Sequence, residues 1–207
     1  WQVAVDGVVR PILKELEWNS PPIDAIQAAR LLGIEIVLDS SQSTRARQKS
    51  LGGQRLLLLK PDDRPERLQW AAAHELGEIS AWKIFQQAHV SGKDAPPGLR
   101  EQVANLFATR FLLPERWFRN HAIAFDGDLL ELKDLYRTAS HELIARRLLD
   151  LFPERVLTII DRGKITSRGN GCGQRFSQLT PIEKKCWKTI HDAGTSRAIS
   201  AAGVEIR

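Results

Sequence analysis

Cysteine is nearly absent. Two occur in 207 residues, Cys172 and Cys186, and neither belongs to a CxxC pair. That scarcity excludes a disulfide scaffold and fits a reducing cytoplasm better than a secreted setting, with both side chains read as free thiols. Tyrosine is rarer still, with Tyr136 alone. No apolar run is long enough to span a membrane, and no N-terminal stretch has the pattern of a secretory signal. The expected setting is therefore cytoplasmic, without a membrane partner. Internal repeats and low-complexity tracts are also missing. The chain starts at Trp1 and closes on Gly203-Val204-Glu205-Ile206-Arg207, a strand cut short. That reads as a trimmed segment, from which a targeting segment could have been removed.

What remains is ordinary for a globular protein: 43% hydrophobic and 27% charged residues, in a chain long enough to bury a core unaided. The formal charge of +5 permits weak nucleic-acid contact without demanding it, because the basic residues are dispersed along the chain.

Apolar spacing predicts helices over 2–18, 25–32, 65–87, 99–113, 114–121, 129–136 and 140–151, with a last short helix opened by Thr180-Pro181. Strands are expected at 34–38, 54–60 and 156–160. Asp24 is placed to cap the second helix and Gly33 to stop it. The Ser-, Arg- and Gln-rich stretch 39–50 reads as a loop. Residues 163–178 hold four glycines among Ser and Arg and read as a linker. The expected division is a main domain over 1–163, then a linker and a short C-terminal helical extension over 164–207, itself truncated.

One segment carries chemistry. In His74-Glu75-Leu76-Gly77-Glu78, residues i and i+4 share a helix face, so His74 and Glu78 project together and Glu75 lies about 100° around. A catalytic zinc takes three protein ligands from His, Asp, Glu or Cys and keeps one position for water. The metal acidifies that water, and a neighbouring carboxylate takes its proton. His74 and Glu78 are candidate ligands, and Glu75 is the candidate general base. Glu101 opens the next helix, whose antiparallel return would supply a third ligand. Asn105, one turn on, is placed to orient a ligand from behind. The dipeptide recurs as His141-Glu142, but Ala145 at the fourth position cannot bind metal.

The surroundings extend the pattern. Gln69-Trp70-Ala71-Ala72-Ala73-His74-Glu75-Leu76-Gly77-Glu78 is followed by Arg100-Glu101-Gln102-Val103-Ala104-Asn105-Leu106-Phe107-Ala108 and then Leu112-Leu113-Pro114. Together these resemble the ImmA/IrrE family of bacterial and phage metallopeptidases. Residues 21–34 are similar to that family's opening helix and first strand, and residues 140–149 to a later helix. The resemblance covers about residues 5–160, which makes 1–163 the expected metallopeptidase domain. It implies an α+β fold, mainly helical and zincin-like, with a small sheet. It also implies one divalent metal ion, zinc first, and endopeptidase activity on a protein substrate, typically a helix-turn-helix transcriptional repressor in a stress or mobile-element response. By position, His74 matches the first ligand, Glu75 the base and Glu101 the third ligand. Glu78 stands where the family has a second histidine. A second carboxylate is a harder, anionic ligand, which draws the site toward Mn2+ or Fe2+ and acidifies the bound water less.

Other features carry weaker expectations. Tyr136, His121 and His141 are candidate stabilisers of a tetrahedral oxyanion. Trp70 and Trp82 flank the metal helix. The segment 128–151 has the rhythm of a helix-turn-helix, in which Arg146 and Arg147 would meet phosphate; the competing reading is a helical hairpin with Leu143, Ile144, Leu148 and Leu149 facing a core. Three functions follow: a metal-dependent endopeptidase, a catalytically inactive relative that binds a repressor or DNA, and a metal hydrolase acting on something other than protein.

Overall fold

Small residues determine where this chain packs most tightly. The computed structural model describes residues 1–92, 95–194, 199–201 and 204–206. Its central helix, α3 (Pro65–Gln87), buries Ala71, Ala72, Ala73, Leu76, Gly77, Ser80 and Ala81 on more than one side. Three helices cover it: α1 (Gln2–Glu15), α2 (Ala25–Leu31) and α4 (Pro97–Leu112). Val5, Val8, Val9, Ile12 and Leu13 of α1 are buried, as their helical spacing predicts. Arg110 on α4 donates through Nε to Asp6 Oδ1 at 2.6 Å and so ties α4 to α1. Asp24 caps α2 by accepting from Gln27 N at 2.9 Å. Gln69 of α3 reinforces that cap, accepting from Ala25 N at 2.6 Å and donating to Asp24 at 2.9 Å.

The sheet on α3 has three strands: β1 (Glu35–Leu38), β2 (Ala46–Leu51) and β3 (Gln54–Leu59), in the order β1-β3-β2. Leu57 and Leu59 in the central strand are fully buried, as a leucine run between two partners should be. β2 and β3 are antiparallel, with Leu51 opposite Gln54. Gly52 and Gly53 both have positive φ, the conformation that a two-residue hairpin turn requires. The loop expected over 39–50 is therefore corrected: Ala46–Leu51 is an edge strand. Its polar, mostly exposed residues conceal it, because pairing with β3 and not apolar alternation holds it in place.

The C-terminal half packs α5 (Glu115–Ala124), α6 (Leu129–Leu135) and α7 (His141–Leu148) around Phe118, Tyr136 and Ile144. Asp128 and Ser140 cap α6 and α7. β4 (Val156–Asp161) pairs antiparallel with β5 (Lys164–Asn170), and Gly163 at φ 76° sits in their turn. The linker reading is thus corrected for Lys164–Asn170: the 163/164 point lies inside a hairpin. α8 (Pro181–Ala193) opens on a capping box between Thr180 and Glu183. Arg168 of β5 holds it in place, donating to Glu183 Oε1 at 2.6 Å. Two short strands, β6 (Ile199–Ala201) and β7 (Val204–Ile206), form a last antiparallel pair; Gly203 and Arg207 lie outside the described residues. The whole is an α+β domain, mainly helical, with small sheets.

Candidate metal centre

The helix pair α3 and α4 is antiparallel, and it brings Glu78 to Arg100, Gly77 to Ala104 and His74 to Asn105. The approach is close because Gly77 has no side chain. A Cβ there would lie 2.9 Å from the Ala104 carbonyl oxygen and 3.0 Å from Phe107 Cβ. Helix backbones this near each other let short carboxylate arms on one helix meet an imidazole on the other.

One ligand atom from each of His74, Glu78 and Glu101 lies within 4.8 Å of the other two. His74 Nε2 stands 3.5 Å from Glu101 Oε2. Two ligands held at about 2.1 Å around a tetrahedral ion are separated by about 3.4 Å, so this pair has the spacing of atoms that share a metal. On its other side, His74 Nδ1 meets Asn105 Oδ1 at 3.1 Å. Asn105 Oδ1 can only accept, so Nδ1 is the nitrogen that donates, and Nε2, which faces Glu101, is the one that would meet a metal. The same Asn105 donates through Nδ2 to Glu101 Oε1 at 3.2 Å, leaving Oε2 for the metal side. One imidazole and two carboxylates, two of them oriented by a single amide, fit a divalent ion.

Glu75 faces the same cleft from the next position on α3. Gln48 of β2 donates to Glu75 Oε2 at 2.7 Å and to the Glu75 carbonyl at 3.1 Å. Burial pushes the Glu75 carboxyl up; the Gln48 hydrogen bond and His74 pull it down, and the Glu78 and Glu101 charges push it up again. The net direction is upward. The cleft has a volume of about 880 Å3 and is walled by the β1–β2 loop, β2, α3 and α4.

The structure thus gathers His74, Glu75, Glu78, Glu101 and Asn105 into one place. It does not bring Tyr136 there. Tyr136 is fully buried, packs edge-on against Phe118, and its hydroxyl pairs with His121 Nδ1 at 2.9 Å. Burial raises its pKa. Neither Tyr136 nor His121 lines the cleft, and His141 lines a different one. Arg147 is buried and ion-paired with Glu115 and Asp150, so it is not available to a phosphate; Ile144 and Leu148 face the core. Sequence reasoning missed three participants. Gly77 gave a signal, a glycine inside a long predicted helix. Arg100 adjoins the candidate ligand Glu101. Gln48 gave none, because its strand reads as a loop.

Residues 29–149 match the model of the Peptidase_M78 family, the IrrE N-terminal-like domain. The chain belongs to this family. The matched span carries the whole IrrE-like helix pair and the cleft between it and β2. Membership supports a metallopeptidase-type function and a divalent metal. Among solved structures, a Mycobacterium tuberculosis transcriptional regulator superposes with a TM-score of 0.64 at 21% identity. The alignment covers 94% of this chain and 63% of that one, so the IrrE-like chain spans less than two thirds of that relative. This likeness bears on the fold. No curated protein matches the chain. Among the described residues, no helix is long and apolar enough to cross a membrane.

Proposed function

We propose that this chain is a metal-dependent endopeptidase that acts on a protein substrate in the cytoplasm. The observation that carries the reading is the convergence of His74, Glu78 and Glu101 within 4.8 Å, beside a Glu75 whose pKa is raised. His74 Nε2 and one oxygen each of Glu78 and Glu101 would hold the ion. A divalent metal bound there would supply Lewis acidity and lower the pKa of a water. The Glu75 carboxylate is placed to accept a proton in the cleft and to return one to a leaving amine nitrogen. Gln48 holds Glu75 Oε2 in place for both transfers. β2 is an edge strand, so its free side offers backbone groups to an extended peptide alongside the cleft. Zinc is the first expectation, and the second carboxylate widens it to Mn2+ and Fe2+. The family resemblance nominates a helix-turn-helix repressor as substrate.

The test pairs metal analysis of the purified chain with cleavage of a helix-turn-helix regulator encoded beside it, using intact protein and Glu75→Gln. Metal in both proteins, with cutting lost by roughly a hundredfold or more in the variant, is expected. A chain that neither retains nor rebinds metal sinks the proposal and leaves a non-catalytic binding relative. Metal without proteolysis favours a hydrolase of another substrate class.

A further inference from the structure

A second cleft, of about 720 Å3, is lined by Arg45, Arg64, Arg67, Arg146, Trp70 and His141. Two of these arginines have carboxylate partners: Arg67 pairs with Asp62 at 3.2 Å and Arg146 with Glu142 at 2.9 Å. Glu66, also on the wall, is taken by Lys133 at 2.7 Å. Arg45 and Arg64 are exposed, and among the described residues neither has a carboxylate within ion-pair distance. Arg45 acts on Asp62 only through longer-range charge, so the cleft has two exposed cations without a direct carboxylate partner, and an aromatic wall.

Its position gives that charge a use. Arg67 and Trp70 lie on α3 seven and four residues before His74, which at the helical rise is about 6–10 Å along the same helix. Arg45 lies three residues before Gln48 on the chain entering β2, about 10 Å at the rise of a strand. Both elements run the same way, so two rulers place the cationic cleft about 10 Å to one side of Glu75. An extended peptide covers that distance in about three residues. We infer that this cleft is a substrate subsite that takes an acidic side chain about three residues from the bond to be cut. The inference rests on the peptidase reading. A peptide carboxylate suits the cleft better than a nucleic-acid strand, because with Arg67 and Arg146 already paired only Arg45 and Arg64 remain for an anion, too few to follow a run of phosphates.

The test has two arms. In the first, the full chain carrying Glu75→Gln is compared with the same chain also carrying Arg45→Glu and Arg64→Glu. Fluorescein-labelled hexaglutamate, hexaglutamine and a six-nucleotide thymidine strand are titrated into each, and anisotropy is read. Hexaglutamate should bind at least about tenfold more tightly than hexaglutamine, and charge reversal should weaken it by about tenfold. Equal binding of the two peptides, or binding that charge reversal leaves unmoved, overturns the subsite. Tighter binding of the thymidine strand overturns it in favour of a nucleic-acid surface. In the second arm, the metal-loaded chain with intact Glu75 digests a proteome-derived peptide library, and the cut ends are read by mass spectrometry. Asp and Glu should be enriched at one position two to four residues from the cut. Arg45→Glu with Arg64→Glu should abolish that enrichment while cutting continues. Cutting without enrichment by the chain that keeps Arg45 and Arg64 overturns the subsite and leaves the peptidase reading standing. No cutting at all overturns the peptidase reading and the subsite with it.

Discussion

Arg100 reaches from α4 to Glu78: its Nε donates to Oε2 at 2.5 Å, and its Nη2 to the Glu78 carbonyl at 3.3 Å. The Glu78 carboxylate brings to the site a negative charge that an imidazole there would not. A fixed guanidinium there offsets that charge and competes with a metal ion for the same oxygen. Arg100→Ala should raise affinity for divalent metal by about tenfold, read by competition with a chromophoric chelator. Unchanged or weaker affinity would mean that Arg100 aims Glu78 instead of competing for it.

Gln48 bears on the acidic limb of the activity. Its hydrogen bond is the largest influence that pulls the Glu75 carboxyl down against burial. Gln48→Leu removes that bond, so the Glu75 pKa rises further. A general base works when ionised, and activity appears as pH rises through its pKa. The acidic limb of kcat/KM should therefore move to higher pH, by up to about one unit. A limb that stays put or moves down would separate Gln48 from the base.

Gly77→Ala sets two effects against each other. Alanine favours a helix by about 1 kcal/mol over glycine. The new methyl, however, meets the Ala104 carbonyl oxygen at 2.9 Å and Ala104 Cα at 3.0 Å, and backbone atoms cannot rotate away. Overpacking of this kind costs about 1–3 kcal/mol, so a net loss of up to about 2 kcal/mol is expected in urea unfolding. Metal affinity should fall alongside it, because the candidate ligands sit on the two helices being forced apart. A more stable variant with unchanged metal binding would contradict the close approach.

The Glu66–Lys133 pair sets a pH dependence of stability. The Lys133 hydrogen bond holds the Glu66 carboxyl below its ordinary 4.5. A carboxyl whose folded pKa is depressed stabilises the fold above the unfolded pKa, and that contribution is lost as pH falls through the folded one. Glu66→Gln should cost about 1 kcal/mol at neutral pH. The gap to the unaltered chain should close only below pH 4.5, the window that thermal melts across an acid series would examine. A gap that closes above that value would assign the stabilisation to another group.

Much of this site could be read before any coordinates. α3 falls where apolar spacing and Pro65 put it, and His74, Glu75 and Glu78 follow from the helical repeat alone. Glu101 and Asn105 required only that the next helix return antiparallel. β2 was unreadable because an edge strand with exposed polar residues carries no alternation, and Gln48 was hidden with it. Tyr136 shows the opposite failure. A lone phenol suggests chemistry, yet its neighbours in the fold, Phe118 and His121, make it part of a core. Long-range packing decides such cases, and one-dimensional spacing does not encode it.

The contact at Gly77 has a mechanical consequence. Most helix pairs are separated by side chains, which can yield as temperature or neighbouring sequence changes. Here the two segments that carry the candidate ligands rest directly on peptide backbone, the least compressible part of the chain. Ligand spacing is thereby insulated from softening elsewhere, including the loops around the cleft. Heating should leave metal affinity nearly level until the helices separate in global unfolding, so capture of the ion and integrity of the domain should fail at one temperature.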